Sequence, residues 1–393
     1  MPRLDRRQFL KRTTLGTAAA LAAGPLRSPA HPSENHETEE PLPLRRTLGR
    51  TGIKLPVVSM GVMRADNPGL VRAAMKRGIV HFDTAHGYQR GTNEEMLGKV
   101  LSEYPRQSFV LGTKVPWRGR EDFLSKFEIS LGRLKMTHVD ILYAHSVSSR
   151  GDVLDDELLG TLKELKQSGK VRHAGVSTHK NEPEVIRAAA ESNVIDVVLT
   201  SVNFRQEHYP EVKSAIAEAT RQGVGIVAMK TMAGGYFDKD RSDPINCRAA
   251  LKWALQDENV ATSIPGITSY DELEADFSVA SDLTLTDAER AELRLGDLRG
   301  GLYCNGCDTC TGSCSRALPI PDLMRGYMYT YGYARAVMGR EVVLQAGTGV
   351  SPCEGCAECT ARCVKGFDLK ARLADVSRLA AIPEELLSGV HCA

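Results

Sequence analysis

Two stretches of this 393-residue chain carry the same spacing of thiols. "CNGCDTCTGSC" supplies Cys304, Cys307, Cys310 and Cys314, and "CEGCAECTARC" supplies Cys353, Cys356, Cys359 and Cys363. Each reads C-x2-C-x2-C-x3-C. Three thiolates within seven residues can wrap one corner of an iron–sulfur cubane while the fourth reaches outward. Zinc usually takes cysteines in pairs, so a triple leaves one thiolate over. Disulfides across C-x2-C would close tight rings and give no reason for the repeat. Of the 10 cysteines, Cys247 and Cys392 alone fall outside the blocks, a clustering that points to metal rather than to a spread disulfide framework.

A second constellation lies upstream. Asp83 closes the run "GIVHFD", with Tyr88 five residues on; Lys114 closes "SFVLGTK" and His145 closes "VDILYAH". Singly, each reads as a capping, ion-pairing or wall residue. On three successive strand ends they make a proton-transfer site. A lysine beside a tyrosine is expected to lower the phenol pKa, and Asp83 to pair with the lysine. Tyr88 then exchanges a proton with a carbonyl or alcohol oxygen, and His145 orients that oxygen by a hydrogen bond.

Positioning these residues requires eight short β-branched runs alternating with amphipathic segments: "PVVSMG", "GIVHFD", "SFVLGTK", "VDILYAH", "VRHAGVS", "DVVLT", "VGIVAMK" and "ATSIPG". Eight parallel strands with helical crossovers predict a (β/α)8 TIM barrel, whose chemistry sits at the carboxyl ends of its strands. An open doubly wound sheet is the rival, disfavoured because no G-x-G-x-x-G follows the first strand. Thr92 with Glu95 predicts a capping box at the start of a helix. The expected organisation is a leader over 1–30, a linker over 31–43, a barrel over 44–297 and a small, mostly helical, ferredoxin-like iron–sulfur domain over 298–393. The second and first thiol blocks are each followed by a helix start, "KGFDLKARLADV" and "RALPIPDLMRGY", a short internal repeat. Tyr327, Tyr329, Tyr331 and Tyr333 between the blocks read as packing residues.

The pieces "FDTAHGYQRGTNEEMLG", "GTK", "VDILYAH", "GKVRHAGVSTH", "IVAMKTMAGG" and "SIPGITS" resemble the aldo/keto reductase superfamily. The resemblance runs from about Leu44 to about Asp282 and implies an Asp-Tyr-Lys-His tetrad at Asp83, Tyr88, Lys114 and His145. It implies hydride exchange between a nicotinamide, NAD or NADP, and a small-molecule carbonyl or alcohol. The cofactor positions it points to are Ser177, Thr178, Met229, Lys230, Gly234, Gly235 and Gly266, and several depart from the pattern. Ser177-Thr178 stands for Ser-Asn, Leu199 for Gln, and Met229 for a stacking aromatic. Gly266 and Glu272 replace basic residues, so weak discrimination for NADP over NAD is expected, since a carboxylate repels a 2′-phosphate. The stretch from Met229 to Gly235 still offers backbone N–H groups that could cradle a pyrophosphate.

The thiol spacing is similar to that of bacterial two-cluster ferredoxins, whose fourth cysteine ligates the other cluster. That resemblance implies one [4Fe–4S] cluster on Cys304, Cys307, Cys310 and Cys363, and a second on Cys353, Cys356, Cys359 and Cys314. Ser315 and Val364 stand where the usual proline would follow.

The chain opens with "DRRQFLK" and the apolar run "LGTAAALAAG", which resembles a twin-arginine (Tat) signal; a basic tail is the alternative reading. Export of the folded protein by the Tat translocase to the periplasm suits clusters assembled in the cytoplasm. Lys+Arg 50 against Asp+Glu 49 gives a net charge of +1, which favours neither nucleic acid nor a membrane surface as partner. No transmembrane segment is expected in the mature chain. These observations predict an oxidoreductase that relays electrons through two clusters to an unknown partner. The alternative is an electron-transfer protein that uses the barrel as a docking scaffold, with an inactive or altered nicotinamide site.

Overall fold

A computed structural model describes residues 43–238, 240–295 and 302–387. The expected leader and linker lie almost wholly outside the described residues. An antiparallel pair, β1 (Arg45–Thr47) and β2 (Lys54–Pro56), precedes the barrel. Eight parallel strands follow: β3 (Met60–Gly61), β4 (His81–Asp83), β5 (Val110–Val115), β6 (Val139–Val147), β7 (Val171–Thr178), β8 (Val197–Ser201), β9 (Gly225–Met229) and β10 (Val260–Ser263). Each pairs with its sequence neighbour. Bridges Val58–Ser263 and Gly61–Gly266 join the last strand to the first, so the sheet is a nearly closed (β/α)8 barrel.

Alternation along the strands builds two apolar layers. Ile141, Tyr143, Val197, Leu199 and Val227 point into the barrel, and Leu48 and Leu55 of the β1–β2 hairpin pack against them. Leu142, Ala144, Val176 and Val198 face outward onto the helices. Tyr143 is fully buried, and Gly175 on the next strand makes room for it: a Cβ there would lie 2.5 Å from its ring. The barrel thus has a packed interior, which restricts chemistry to its rim.

One local expectation fails. Residues Tyr88–Gly91 form a 3-10 turn, and the helix Thr92–Leu101 is capped by Gly91 at φ 95°, without a side-chain cap. Thr92 lies inside the helix and its hydroxyl donates back to the Gln89 carbonyl at 2.8 Å, so the capping box with Glu95 does not form. Gly91 takes the left-handed conformation that a threonine at that position would resist.

After the barrel come the helices Ile320–Tyr327, Ala336–Ala346 and Leu369–Ser377, packed through Ile320, Leu323, Met324, Val343, Leu373 and Val376. The first continues into a π-helical turn, Met328–Gly332. The first and third follow the two thiol blocks, as the repeat implied. Asp368 caps the third by accepting from the Ala371 N–H. Among the described residues no helix is long and apolar enough to cross a membrane.

The cluster region lies across the barrel mouth. Asn305 donates to the Arg205 carbonyl at 2.7 Å, Asp322 pairs with Lys180 at 3.1 Å, and Arg241 donates to the Gly332 carbonyl at 2.7 Å. The Gly306 carbonyl accepts from the Asn181 N–H at 3.2 Å. Gly306 has φ +78°, and any side chain there would collide with the His179 carbonyl oxygen. These contacts follow β7, β8 and β9, on the rim where the chemistry belongs.

Candidate functional site

Three strands deliver the predicted tetrad to one place. Asp83 ends β4, Lys114 lies in β5, and His145 lies near the end of β6; Tyr88 follows β4 in the 3-10 turn. Asp83 and Lys114 are both buried and ion-paired through Asp83 Oδ1. Lys114 Nζ also donates to the Thr84 carbonyl at 2.7 Å and to the Tyr88 hydroxyl at 3.3 Å. The Tyr88 and His145 rings meet edge to face at 6.1 Å.

The electrostatics correct one expectation. The Tyr88 phenol is raised, not lowered: burial dominates and the Asp83 charge adds to it, while Arg325 pulls the other way. Lys114 is engaged by Asp83, which cancels most of its pull on the phenol. His145 is held well below its ordinary value, first by burial and then by the cations Lys114 and Arg325, so it is a neutral imidazole with one N–H to donate. A neutral phenol touching an ammonium, with a neutral imidazole beside it, can pass a proton to a carbonyl oxygen.

The expected nicotinamide positions come together at the mouth, but they do not fit a dinucleotide held as the resemblance implies. Ser177 and Thr178 are buried at the end of β7. The Ser177 Oγ accepts from the Ser146 N–H at 3.0 Å, and the Thr178 hydroxyl donates to the Lys180 carbonyl at 2.6 Å within its own turn. Leu199 is sealed into the inner layer. Above Met229 and Lys230 stand residues of the appended region: the Tyr329 ring is 6.0 Å from Lys230 Nζ, and a Cβ at Gly234 would lie 3.2 Å from the Tyr303 ring. Gly235 and Gly266 have open space beside them. Glu272 accepts from the Thr268 N–H and hydroxyl at 2.6 and 2.8 Å, which holds a carboxylate where a basic residue was looked for. What remains is a cleft of about 480 Å³, its open mouth included, lined among others by His179, Asn203, Lys230, Tyr303, Cys304 and Met328. The His179 ring, 6.5 Å from that of His145, joins the cleft to the tetrad.

The thiols group crosswise. Burial raises the Cys304 thiol to about 12, and its neighbours Cys307, Cys310 and Cys363 contribute. Burial also raises Cys353, with Cys359, Cys356 and Cys314 as the neighbouring thiols. Every cysteine among the described residues is free of disulfides. The second set lines a pocket with Leu318, Ile320, Ala361 and Leu373, an apolar cradle. In the first set the Gly306 N–H points to Cys304 Sγ at 3.3 Å and the Thr309 hydroxyl to Cys307 Sγ at 3.5 Å, contacts that stabilise thiolate charge. Two sets of four thiols in the crossed arrangement fit two cubanes. Among the described residues no three such groups converge on a single metal ion; corner thiolates of a cubane stand further apart than those around one zinc.

Arg325, Tyr329, Tyr303 and His179, all at the mouth, escaped sequence reasoning as site residues, Tyr329 being read there as packing. The first three lie far from the tetrad in sequence, and no local spacing links them to it.

Residues 60–249 match the aldo/keto reductase family, and residues 303–368 match a 4Fe-4S dicluster domain. A Glycine max protein named "Probable aldo-keto reductase 1" is 25% identical, covering 66% of this chain and 92% of its own. The L-galactose dehydrogenase of Arabidopsis thaliana is 24% identical over 61% and 88% of the two chains. Among solved structures, the holo form of an aldo-keto reductase from Bacillus halodurans superposes with a TM-score of 0.55 at 23% identity, covering 66% of this chain and 97% of that one. The chain is therefore an oxidoreductase that carries an aldo/keto reductase domain followed by a C-terminal 4Fe-4S dicluster domain.

Proposed function

We propose that the protein interconverts a carbonyl and an alcohol at Tyr88, with two [4Fe–4S] clusters carrying the electrons. The observation that carries this reading is the Lys114 ammonium on the Tyr88 hydroxyl at 3.3 Å, with Asp83 behind the lysine. In reduction Tyr88 gives its proton to the carbonyl oxygen, and in oxidation it takes one back. His145 donates a hydrogen bond to the same oxygen and Lys114 holds the phenol in place. A carbonyl and its alcohol differ by two electrons and two protons: Tyr88 supplies the proton on oxygen, and solvent water entering the open cleft supplies the one on carbon. Two clusters on Cys304, Cys307, Cys310, Cys363 and on Cys353, Cys356, Cys359, Cys314 would supply one electron each when bound. No step is assigned to NAD or NADP, because Thr178, Leu199 and Tyr329 leave no fitting seat for the nicotinamide.

The test is Tyr88→Phe in anaerobically purified protein, with reduced methyl viologen as donor and a panel of small aldehydes and ketones as acceptors. Turnover is expected to fall by about 10²–10⁴ with the visible cluster absorption unchanged. Full activity in this variant would sink the reading. Absence of carbonyl turnover even with Tyr88 in place would favour a second one, to which the covered nicotinamide site lends support: an electron-transfer protein that docks its partner on the barrel.

The protein is further assigned to the periplasm by the twin-arginine route, on the strength of Arg6 and Arg7 ahead of Phe9, Leu10 and Lys11. These residues lie outside the described residues. Replacing Arg6 and Arg7 by lysine should retain the protein in the cytoplasmic fraction; undiminished export would refute the assignment.

A further inference from the structure

Helix Ile320–Tyr327 and its π-helical continuation present one face to the barrel. Asp322 on this face pairs with Lys180 at 3.1 Å. Met328 lines the cleft beside His179 and Lys230, and Tyr329 covers Lys230. Arg325 stands between them, three residues after Asp322 and three before Met328, so its side chain shares that face. It is 14% exposed, and among the described residues its one ion pair is with Asp322 at 3.3 Å, a carboxylate it shares with Lys180. A guanidinium has five N–H donors. One is engaged here. It thus lies on the helix face that Met328 extends into the cleft, and its charge reaches Tyr88, His145, His179 and Lys230.

The surroundings have more donors than acceptors. Lys230 Nζ has no hydrogen-bond partner among the described residues, and His179 Nδ1 is buried without one. The nearby carboxylates are engaged elsewhere: Asp83 holds Lys114, Glu182 holds His208 at 3.0 Å, and Asp308 accepts from Asn181 at 3.3 Å. A buried cation with one long, shared ion pair is costly, and an incoming anion relieves that cost. Neutralising the proximal cluster would be another use for cations. That position is taken by Lys365, whose surroundings include Cys304 and Cys363, whereas Lys230 lines the cleft and Arg325 shares the helix face of Met328, which also lines it.

We propose that Arg325, with His179 and Lys230, binds the carboxylate of a small oxo acid or hydroxy acid whose carbonyl or alcohol oxygen meets Tyr88 and His145. This deepens the carbonyl–alcohol reading and rests on it for the reacting end. The planar fork of the guanidinium suits a carboxylate held by two parallel hydrogen bonds. The cluster domain thereby contributes a substrate-binding residue to the barrel.

The experiment is calorimetric titration of the anaerobic, cluster-loaded protein with pyruvate, with methyl pyruvate as the uncharged carbonyl, and with inorganic phosphate. Pyruvate should bind saturably and at least tenfold more tightly than methyl pyruvate. Arg325→Gln should remove that advantage, and Arg325→Lys should keep part of it; unchanged visible absorption in both variants verifies that the clusters and the fold are intact. Equal binding of pyruvate and its ester, or undiminished pyruvate binding in Arg325→Gln, overturns the proposal. Arg325-dependent phosphate binding tighter than that of pyruvate overturns the carboxylate assignment. Tyr88→Phe separates the two claims. It should still bind pyruvate, so lost anion binding in the Arg325 variants and unimpaired turnover in Tyr88→Phe would refute different statements.

Discussion

Replacing Lys114 by methionine isolates the pair on which the tetrad is built. The apolar stem is kept and the ammonium removed, leaving Asp83 buried, with its Oδ2 already lacking a partner. Burial raises Asp83 even with the lysine present. Without the lysine the carboxyl folds in its neutral form. Relative to an unfolded carboxyl of pKa about 3.9, holding a proton at pH 7 spans about 3 pH units at about 1.4 kcal/mol each. The cost therefore has a ceiling of about 4 kcal/mol at pH 7, which falls to about 1.5 kcal/mol at pH 5. The sign follows from proton counts: the folded variant holds a proton that the unfolded chain releases above pH 4, so its stability falls as pH rises. Urea unfolding at pH 5, 6 and 7, read by the fluorescence of Trp117 and Trp253 in the barrel, measures this. Replacing both partners, Asp83→Leu with Lys114→Met, should recover most of the loss, because two apolar groups leave no stranded charge. A loss below about 1 kcal/mol at pH 7, or one that does not change with pH, refutes the reasoning.

Other consequences are as direct. Cys363→Ser should abolish the same cluster signal in electron paramagnetic resonance as Cys304→Ser, and Cys314→Ser the same as Cys353→Ser; pairing within each block instead would overturn the crossed assignment. Gly306→Ala should unseat the loop against His179 and cost proximal cluster iron, while the distal cluster is retained; full iron content would contradict this. Burial, with Glu272 adding, raises the Asp276 carboxyl to about 7. The folded state thus keeps a proton that the unfolded chain loses above pH 4, and stability falls between pH 4 and 7 by at most about 4 kcal/mol. Asp276→Asn should flatten this slope and stabilise the protein at pH 8 but not at pH 4, as melting at the two pH values would show.

The barrel was legible because burial on both faces leaves unmistakable β-branched runs, and every quoted run contributes a strand. The tetrad was legible because three of its members close such runs. The crossed grouping of thiols was implied by the resemblance to two-cluster ferredoxins, not by spacing alone. What escaped the sequence was set by tertiary packing. The phenol pKa went the wrong way because a pairwise view counted Lys114 and ignored burial and Asp83. The Thr92 cap gave way to a glycine turn one residue earlier. Arg325 reaches the mouth from more than two hundred residues beyond Tyr88, and a one-dimensional pattern carries no trace of that approach.

The loop from Cys304 to Gly306 begins with a cluster thiol, lines the cleft through Asn305 and abuts the carbonyl of His179. A single short segment thus serves inorganic assembly at one end and ligand capture at the other. Damage by oxygen to the inner cubane would loosen the cleft wall as well as interrupt the wiring.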